Sequence, residues 1–491
     1  MRILLVSSEV EPFAKTGGLA DVAGSLPLEL ARLGHDVRVA MPKYRAVDEL
    51  RFNLVPILDE IIVRLGDTSY LTQIKRSYFP KTQVPVYFVQ CHSCFDRDGL
   101  YQENGVDYHD NEVRFGVFCK AVIWLLKALD WMPDVIHCND WQTALIPIFL
   151  HNDSEVAAAD PAFTRMKVLY TIHNLAYQGL FELDSLKRLG LPLSLFTPEK
   201  LEFYGKINLM KGGIVFADAV STVSRRYAEE IQTPEFGCGL DGLLRQRRDR
   251  LYGIMNGIDY TIWDPQRDPH LPVHYSPKSL GGKTRCKKAL QKELGLEENT
   301  DIPLVAMISR LDPQKGFDLV VEALEAIMAE NLQFVLLGTG QPRYHEIFGE
   351  AAKRWPGRMS VNLRLDVPLS HRIEAGADIF LMPSRYEPCG LNQLYSMRYG
   401  TIPVVRHTGG LADSVTDACE TNIKAGTATG FVFEDFSAHA MMEALRRAFS
   451  AYKKKPLWRQ LQRTAMAQDF SWHASAKKYE DLFTKMTSGQ V

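Results

Sequence analysis

The chain has 491 residues, with 57 Lys and Arg against 59 Asp and Glu, so its formal net charge is −2. About three domains is the neutral expectation for that length, and two large ones fit as well. Charged residues make up 24% and hydrophobic residues 46%, which excludes a disordered or collagen-like chain, and the balanced charge argues against a dedicated nucleic-acid binder.

The opening run, residues 2–6, reads as a buried strand and is too short for a signal-peptide core. No stretch approaches the roughly 20 apolar residues of a membrane helix, so a cytoplasmic protein is expected. A helix is expected through residues 26–33, then strands at 37–40, 84–89, 135–137, 168–172 and 219–223. Between the second and third of these strands, Val113, Val117, Ala121, Leu125 and Leu129 recur at helical spacing. Short apolar strands separated by helices imply βαβ units and a parallel sheet covered on both faces.

A turn-rich zone follows, with Asn256-Gly257-Ile258-Asp259, four prolines (265, 269, 272, 277) and Gly281-Gly282. It marks a boundary or hinge. Beyond it, residues 304–308, 334–337, 379–382 and 402–405 read as strands, and Leu319, Val320, Ala323, Leu324, Ile327 and Met328 form one helical stripe. The fold expected is α/β, two Rossmann-like doubly wound domains facing a central cleft. The domains are placed at 1–258 and 259–465. A helical tail, 466–491, with Tyr479, Leu482, Phe483 and Met486 on one face, is expected to pack back on the first domain.

The eight cysteines (91, 94, 119, 138, 238, 286, 389, 419) are scattered, as expected of free thiols in a reducing compartment. Cys91-His92-Ser93-Cys94 is the one close pair. It lacks the second pair of a four-ligand zinc site, and a structural role is expected.

Thr16-Gly17-Gly18-Leu19-Ala20-Asp21 recurs as Thr408-Gly409-Gly410-Leu411-Ala412-Asp413. Two tight turns and two anion-binding helix starts both fit that echo. A dinucleotide fingerprint is excluded, because the first strand leads into Ser7-Ser8-Glu9 and the first glycine comes only after Lys15. Gly281-Gly282-Lys283-Thr284 lacks the upstream glycine of a P-loop.

Polar residues gather instead at the ends of expected strands, where open α/β sheets bind ligands. They are Asn139-Asp140-Trp141, the run His173 to Gly179, the run Ser309 to Gly316, and the run Ser384 to Leu391. With Lys15-Thr16-Gly17-Gly18-Leu19-Ala20-Asp21-Val22 and Thr408 to Asp413, these blocks give the chain a strong resemblance to bacterial glycogen synthases and plant-type starch synthases. These are retaining glucosyltransferases of two-Rossmann (GT-B) architecture, and the resemblance covers essentially the whole chain in family order.

The resemblance implies transfer of glucose from ADP-glucose to the non-reducing end of an α-1,4-glucan or maltooligosaccharide, with no cofactor, no metal and no nucleic-acid or membrane partner. It implies a bacterial or cyanobacterial cytosol, or a plastid stroma. Breaking a sugar–diphosphate bond builds negative charge on the leaving group, and cations aimed there act where charge develops. Arg310 and Lys315 take that role by resemblance, with Lys15, Gly17 and Gly18 closing over the donor from the other domain. Glu387 is implied to contact the donor glucose hydroxyls, with Asp21 and His173 near the same sugar. Asp140 falls on the acceptor side, with Trp141 as a sugar-stacking neighbour and Asn174 and Tyr177 beside it. Asn256, Gly390, Leu391, Thr408, Gly409 and Gly410 complete the donor set. Cys389 has no histidine at a convincing spacing and is assigned to packing beside the donor.

Two positions depart from the wider pattern. Tyr395 stands where many retaining relatives carry a ribose-holding glutamate, and Leu365 stands where bacterial glycogen synthases often place an aromatic on the base. The basic runs at 245–250 and 453–455 read as solvated faces. The rivals are a transferase using UDP-glucose or a small acceptor, and a glucan-binding or priming protein with weak catalysis.

Overall fold

The computed structural model describes residues 1–491, the side chain of Thr164 excepted. The chain forms two compact units. The first comprises residues 1–223, 228–254 and 472–491, and the second residues 224–227 and 255–471.

The first unit is built on nine strands: β1 (Arg2–Val6), β2 (Asp36–Pro42), β3 (Val55–Leu65), β4 (Thr68–Tyr78), β5 (Pro85–Gln90), β6 (Val135–Asn139), β7 (Lys167–Ile172), β8 (Ala219–Thr222) and β9 (Leu251–Gly253). They lie in the order β9-β8-β7-β6-β1-β2-β5-β4-β3. All pairs from β9 to β5 are parallel; β4 and β3 continue the sheet antiparallel. Ile3, Leu4, Leu5 and Val6 are buried, because helices such as α1 (Gly18–Arg32) and α2 (Asn111–Ala128) cover a parallel sheet on both faces. Strand β1 leads through α1 to β2 on one side, and α2 later returns the chain to β6 on the other. Adjacent β1 and β6 are thus a topological switch point, where loops diverge and leave a crevice.

The β3–β4 hairpin is an addition to the expected strands. Its residues alternate poorly between buried and exposed, and the pairing shifts register twice, between Pro56 and Leu58 and between Leu58 and Ile61. Irregularities of that kind re-aim side chains and erase the two-residue period on which sequence reading depends.

The second unit has six parallel strands: β10 (Leu304–Ile308), β11 (Gln333–Leu337), β12 (Met359–Asn362), β13 (Ile379–Met382), β14 (Ile402–Arg406) and β15 (Phe431–Phe433). Their order is β12-β11-β10-β13-β14-β15, so β10 and β13 form a second switch point. Helix α3 (Phe317–Ala329) buries the expected stripe, and α4 (Pro342–Arg354) follows β11. The C-terminal helix α5 (Trp472–Thr487) belongs to the first unit. It buries Tyr479, Leu482, Phe483 and Met486. Glu480 meets His35 Nε2 at 2.9 Å, and Tyr479 lies 5.3 Å from the buried His137 ring in β6.

Candidate active site

In the first unit, the loop after β1 is organised by Glu9, which is 4% exposed. Its carboxylate accepts the Thr16 hydroxyl at 2.6 Å, the Gly17 amide at 3.1 Å and the Thr16 amide. Tyr101 donates to it at 2.7 Å. With that proton committed, the Ser8 hydroxyl, 2.7 Å from the Tyr101 oxygen, is the donor of their bond. Glu9 therefore holds the backbone that starts α1, whose first residue is Gly18 and whose N-cap Gly17 makes no side-chain cap. Lys15 is exposed, and its ammonium sits 2.6 Å from Asp21. Burial raises the Asp21 carboxyl, and Lys15 opposes that rise. Glu9 and Tyr101 were missing from the residues expected here. An acid directly after the first strand was the one available signal.

At the end of β6, Asp140 adopts φ 57°, ψ −179°, a region that non-glycine residues enter only when the surroundings hold them there. Its amide donates to Thr171 O at 2.9 Å. Its carboxylate accepts the His173 amide at 2.8 Å, and the Asn174 amide bonds it too. Burial nevertheless pushes the carboxyl up to about 7, and Glu9 adds to the shift. His173 Nε2 lies 2.8 Å from Asn139 Oδ1, while Asn139 Nδ2 donates to Val6 O and His137 O. Asn139 can thus offer only its oxygen, so His173 Nε2 carries the proton. Burial drives the His173 pKa down to about 3, and Nδ1 of the neutral ring is the acceptor nitrogen.

The structure brings Asp140, His173 and Asn174 together and leaves Tyr177 56% exposed. Trp141, directly after Asp140, is 9% exposed and packs edge-on to Phe115 at 5.2 Å and against Phe181 at 5.7 Å. Its area is spent on the core, because the short 3-10 turn Trp141–Thr143 points it inward.

In the second unit, Lys315 and Glu387 meet at the carboxyl ends of β10 and β13. The ammonium bridges both carboxylate oxygens, at 2.9 and 2.6 Å, and the Ser384 hydroxyl donates at 3.0 Å. Arg310 is exposed, with no ion pair among the described residues. The two loops are stitched by Arg385 N to Gln314 O at 2.8 Å, and Asp312 caps the turn carrying Lys315.

Gly316 closes that turn at φ 74°, and a Cβ there would come 2.0 Å from Pro383 O. Gly316→Ala is therefore expected to destabilise the unit by at least about 2 kcal/mol, combining a left-handed penalty with a backbone clash. Gly349→Ala in α4, where nothing lies within 4 Å, should stabilise by about 0.5–1 kcal/mol. Urea unfolding midpoints compare the two; equal midpoints would refute the close approach.

The second copy of the glycine pair is equally tight. Cβ atoms on Gly409 and Gly410 would each fall 1.9 Å from a carbonyl, that of Glu387 and that of Cys389. The pair thus lets Thr408, itself 1% exposed, sit against the Glu387 loop. The first copy, at Gly17, has no atom within 4 Å. The echo is shared at the level of strand, glycines and helix start, and differs in packing.

Gly390 and Leu391 lie in a turn pinned by Gln393 Nε2, which donates to Cys389 O and Gly390 O, both at 3.0 Å. Cys389 is buried, its thiol pushed up to about 12 by desolvation while the Asn256 amide hydrogen-bonds the sulfur; this suits packing and not nucleophilic attack. Asn256 Oδ1 is buried without a partner. Tyr395 stacks at 3.8 Å on Trp263, which stacks at 3.8 Å on His371, so its ring is part of the unit's packing. Leu365 is 88% exposed. Among the described residues, no helix is long and apolar enough to cross a membrane.

Comparison with known proteins places these halves in a family. The starch synthase catalytic domain matches residues 2–246, and the glycosyl transferases group 1 domain matches residues 290–463. The chain is 48% identical to "Glycogen synthase 2" of Geobacter sulfurreducens, covering 98% of each. It is 49% identical to the glycogen synthase of Anaeromyxobacter sp. strain Fw109-5, covering 99% of this chain and 100% of that one. The catalytic domain of starch synthase IV from Arabidopsis thaliana, solved with ADP and acarbose, superimposes with a TM-score of 0.90 at 35% identity, covering 99% of both chains. By these matches over essentially its whole length, the chain belongs to the glycogen and starch synthase family of two-domain glucosyltransferases.

Proposed function

We propose that the protein elongates an α-1,4-glucan at its non-reducing end, taking glucose from ADP-glucose with retention at the anomeric carbon and releasing ADP. The observation that carries this reading is the part-buried Lys315–Glu387 pair, with Ser384, at the switch point of the second unit, in a chain similar throughout to a starch synthase solved with ADP and acarbose.

Lys315 and Arg310 face the departing diphosphate, where negative charge grows in the transition state. They and backbone amides suffice to neutralise it, and we assign the chemistry no metal. Glu387, once Lys315 turns to phosphate, accepts hydrogen bonds from the sugar hydroxyls. Lys15, Gly17, Gly18, Asp21, Asn256, Leu391, Thr408, Gly409 and Gly410 serve the donor. Asp140 and neutral His173 present an acceptor oxygen and an acceptor nitrogen to hydroxyls, with Asn174 and Tyr177 on the glucan side. We place the enzyme in the cytoplasm.

ADP release tests this directly, with ADP-glucose and UDP-glucose compared on glycogen and on a short maltooligosaccharide. Faster release from ADP-glucose with chain elongation is expected. Preference for UDP-glucose, or for a small acceptor such as fructose, would overturn the donor or acceptor assignment. Glucan binding without ADP release would make the chain a binding or priming protein.

A further inference from the structure

The pair Cys91 and Cys94, expected to be structural, has a geometry that structure alone does not require. Cys91 ends the segment after β5 and caps a single helical turn, His92–Phe95. The two sulfurs are 3.2 Å apart, at the start of a chain of hydrogen bonds that leads to the loop of Lys15. We propose that Cys91 and Cys94 form a thiol–disulfide exchange site that reacts with low-molecular-weight disulfides and closes a Cys91–Cys94 disulfide.

The two sulfurs are chemically unequal. The two sulfurs share one hydrogen bond, and Cys91 Sγ also has the Ser93 hydroxyl at 3.4 Å and the Cys94 amide as partners. These partners, Cys94 first, pull the Cys91 pKa down to about 6, while the same bond and burial push Cys94 far up. Cys91 is thus the more acidic thiol and Cys94 the less acidic one, a division of labour suited to attack followed by resolution. A metal role is disfavoured: among the described residues no group of three or more His, Cys, Asp or Glu could hold an ion. Cys91 and Cys94 are each 2% exposed, but the residues between them, His92 and Ser93, are exposed. Opening one surface turn is enough for entry, and such turns lie at the low-stability end of a fold.

The reaction balances without an outside electron source. The Cys91 thiolate attacks one sulfur of the small disulfide, forming a mixed disulfide and expelling one thiolate. Cys94, losing its proton, attacks Cys91 Sγ and expels the second. Two protein thiols are oxidised and one disulfide is reduced to two thiols; the proton Cys91 gave to solvent on ionising and the proton of Cys94 balance the two released thiolates.

Closure draws the sulfurs from 3.2 Å to about 2.05 Å, and the shift has a path. Cys94 O accepts Arg114 Nε at 2.6 Å. Arg114 is fully buried and also binds Leu100 O and Asn111 Oδ1. Asn111 holds Tyr101 O at 3.0 Å, and Tyr101 holds Glu9, which holds Thr16 and Gly17. Closing the disulfide thus bears on the loop that presents Lys15. The exchange chemistry stands apart from the proposed reaction; only this coupling rests on it.

The test uses the full chain in glutathione buffers of increasing oxidised fraction, followed by alkylation and peptide mass spectrometry. An intramolecular Cys91–Cys94 disulfide is expected. Cys94→Ser should trap a glutathione adduct on Cys91, and Cys91→Ser should leave Cys94 unmodified. Exposed Cys238 and Cys419 serve as controls that acquire adducts only. If Cys91 and Cys94 stay alkylatable while those two react, the exchange site is overturned. For the coupling, oxidation should change the KM for the nucleotide-sugar several-fold in the wild type and not in the Cys91→Ser/Cys94→Ser double variant. A KM unchanged with the disulfide formed overturns the coupling and leaves the exchange. ADP release absent from the reduced protein overturns the proposed reaction instead.

Discussion

Replacing Lys315 by alanine is expected to lower kcat for glucosyl transfer by roughly 10²–10³-fold, the usual loss when one group stabilising developing charge is removed. The same substitution strands Glu387, whose side chain is 7% exposed and whose partner is 20% exposed. A buried charge left alone is costly; with the Ser384 hydroxyl still donating and Lys315 partly solvated, about 2 kcal/mol of stability should be lost. The two effects are separable. Adding Glu387→Gln to Lys315→Ala removes the stranded charge and should restore the unfolding midpoint, while turnover stays low or falls further. Steady-state ADP release and urea unfolding on the wild type, the single variant and the double variant decide the matter. Near-normal turnover by Lys315→Ala would remove Lys315 from the chemistry.

Asp140 gives the second large effect, and it is a function of pH. Its carboxyl titrates at about 7 in the folded chain, against about 3.9 when unfolded. The folded state therefore holds a proton that the unfolded state has released between these values. The associated stability is fully present below about pH 4 and is lost as pH rises through 7. Asp140→Asn cannot ionise and escapes that loss, so its stability advantage over the wild type should grow by roughly 2 kcal/mol between pH 5 and pH 8.5. Buried His137 and His173, both held near 3, titrate the other way. Their contribution is present above about 6.5 and lost as pH falls, but it is common to both proteins and cancels in the difference. The activity should move oppositely. If the carboxylate is the working form, kcat/KM of the wild type falls below an apparent pKa near 7, since that parameter reports the free enzyme. Asp140→Asn should be at least about 10²-fold slower above pH 7 and should lack that pH dependence, so the gap narrows as pH falls. A variant with wild-type kcat/KM and an unchanged stability profile would show Asp140 to be solvated and idle.

Much of this protein was legible as a sequence for a physical reason. Strands such as β1 and β10 are buried on both faces, so Ile3 to Val6 and Leu304 to Ile308 must be apolar without interruption, and such runs announce themselves. The stripe on α3 and the apolar face of α5 follow from the helical period in the same way. The blocks around Lys15, His173, Lys315 and Glu387 stand at strand ends, where chemistry collects in open sheets. Spacing was enough to exclude a dinucleotide fingerprint; the role given to the cations came from the family resemblance.

What only the tertiary structure decided was the state of those residues. The β3–β4 hairpin is irregular in register, so its pattern carries no period. Glu9 acquires its role from Tyr101, 92 positions away, and from Thr16 and Gly17. The strain at Asp140 arises from Thr171 and His173 holding its backbone and carboxylate at once. Trp141 turned inward because Phe115 and Phe181 offered it a core contact, a preference no neighbour in sequence announces. Burial and a buried group's charge state are set by partners far along the chain. Local sequence specifies which groups are available; the packed structure decides which of them are ionised, aimed and within reach.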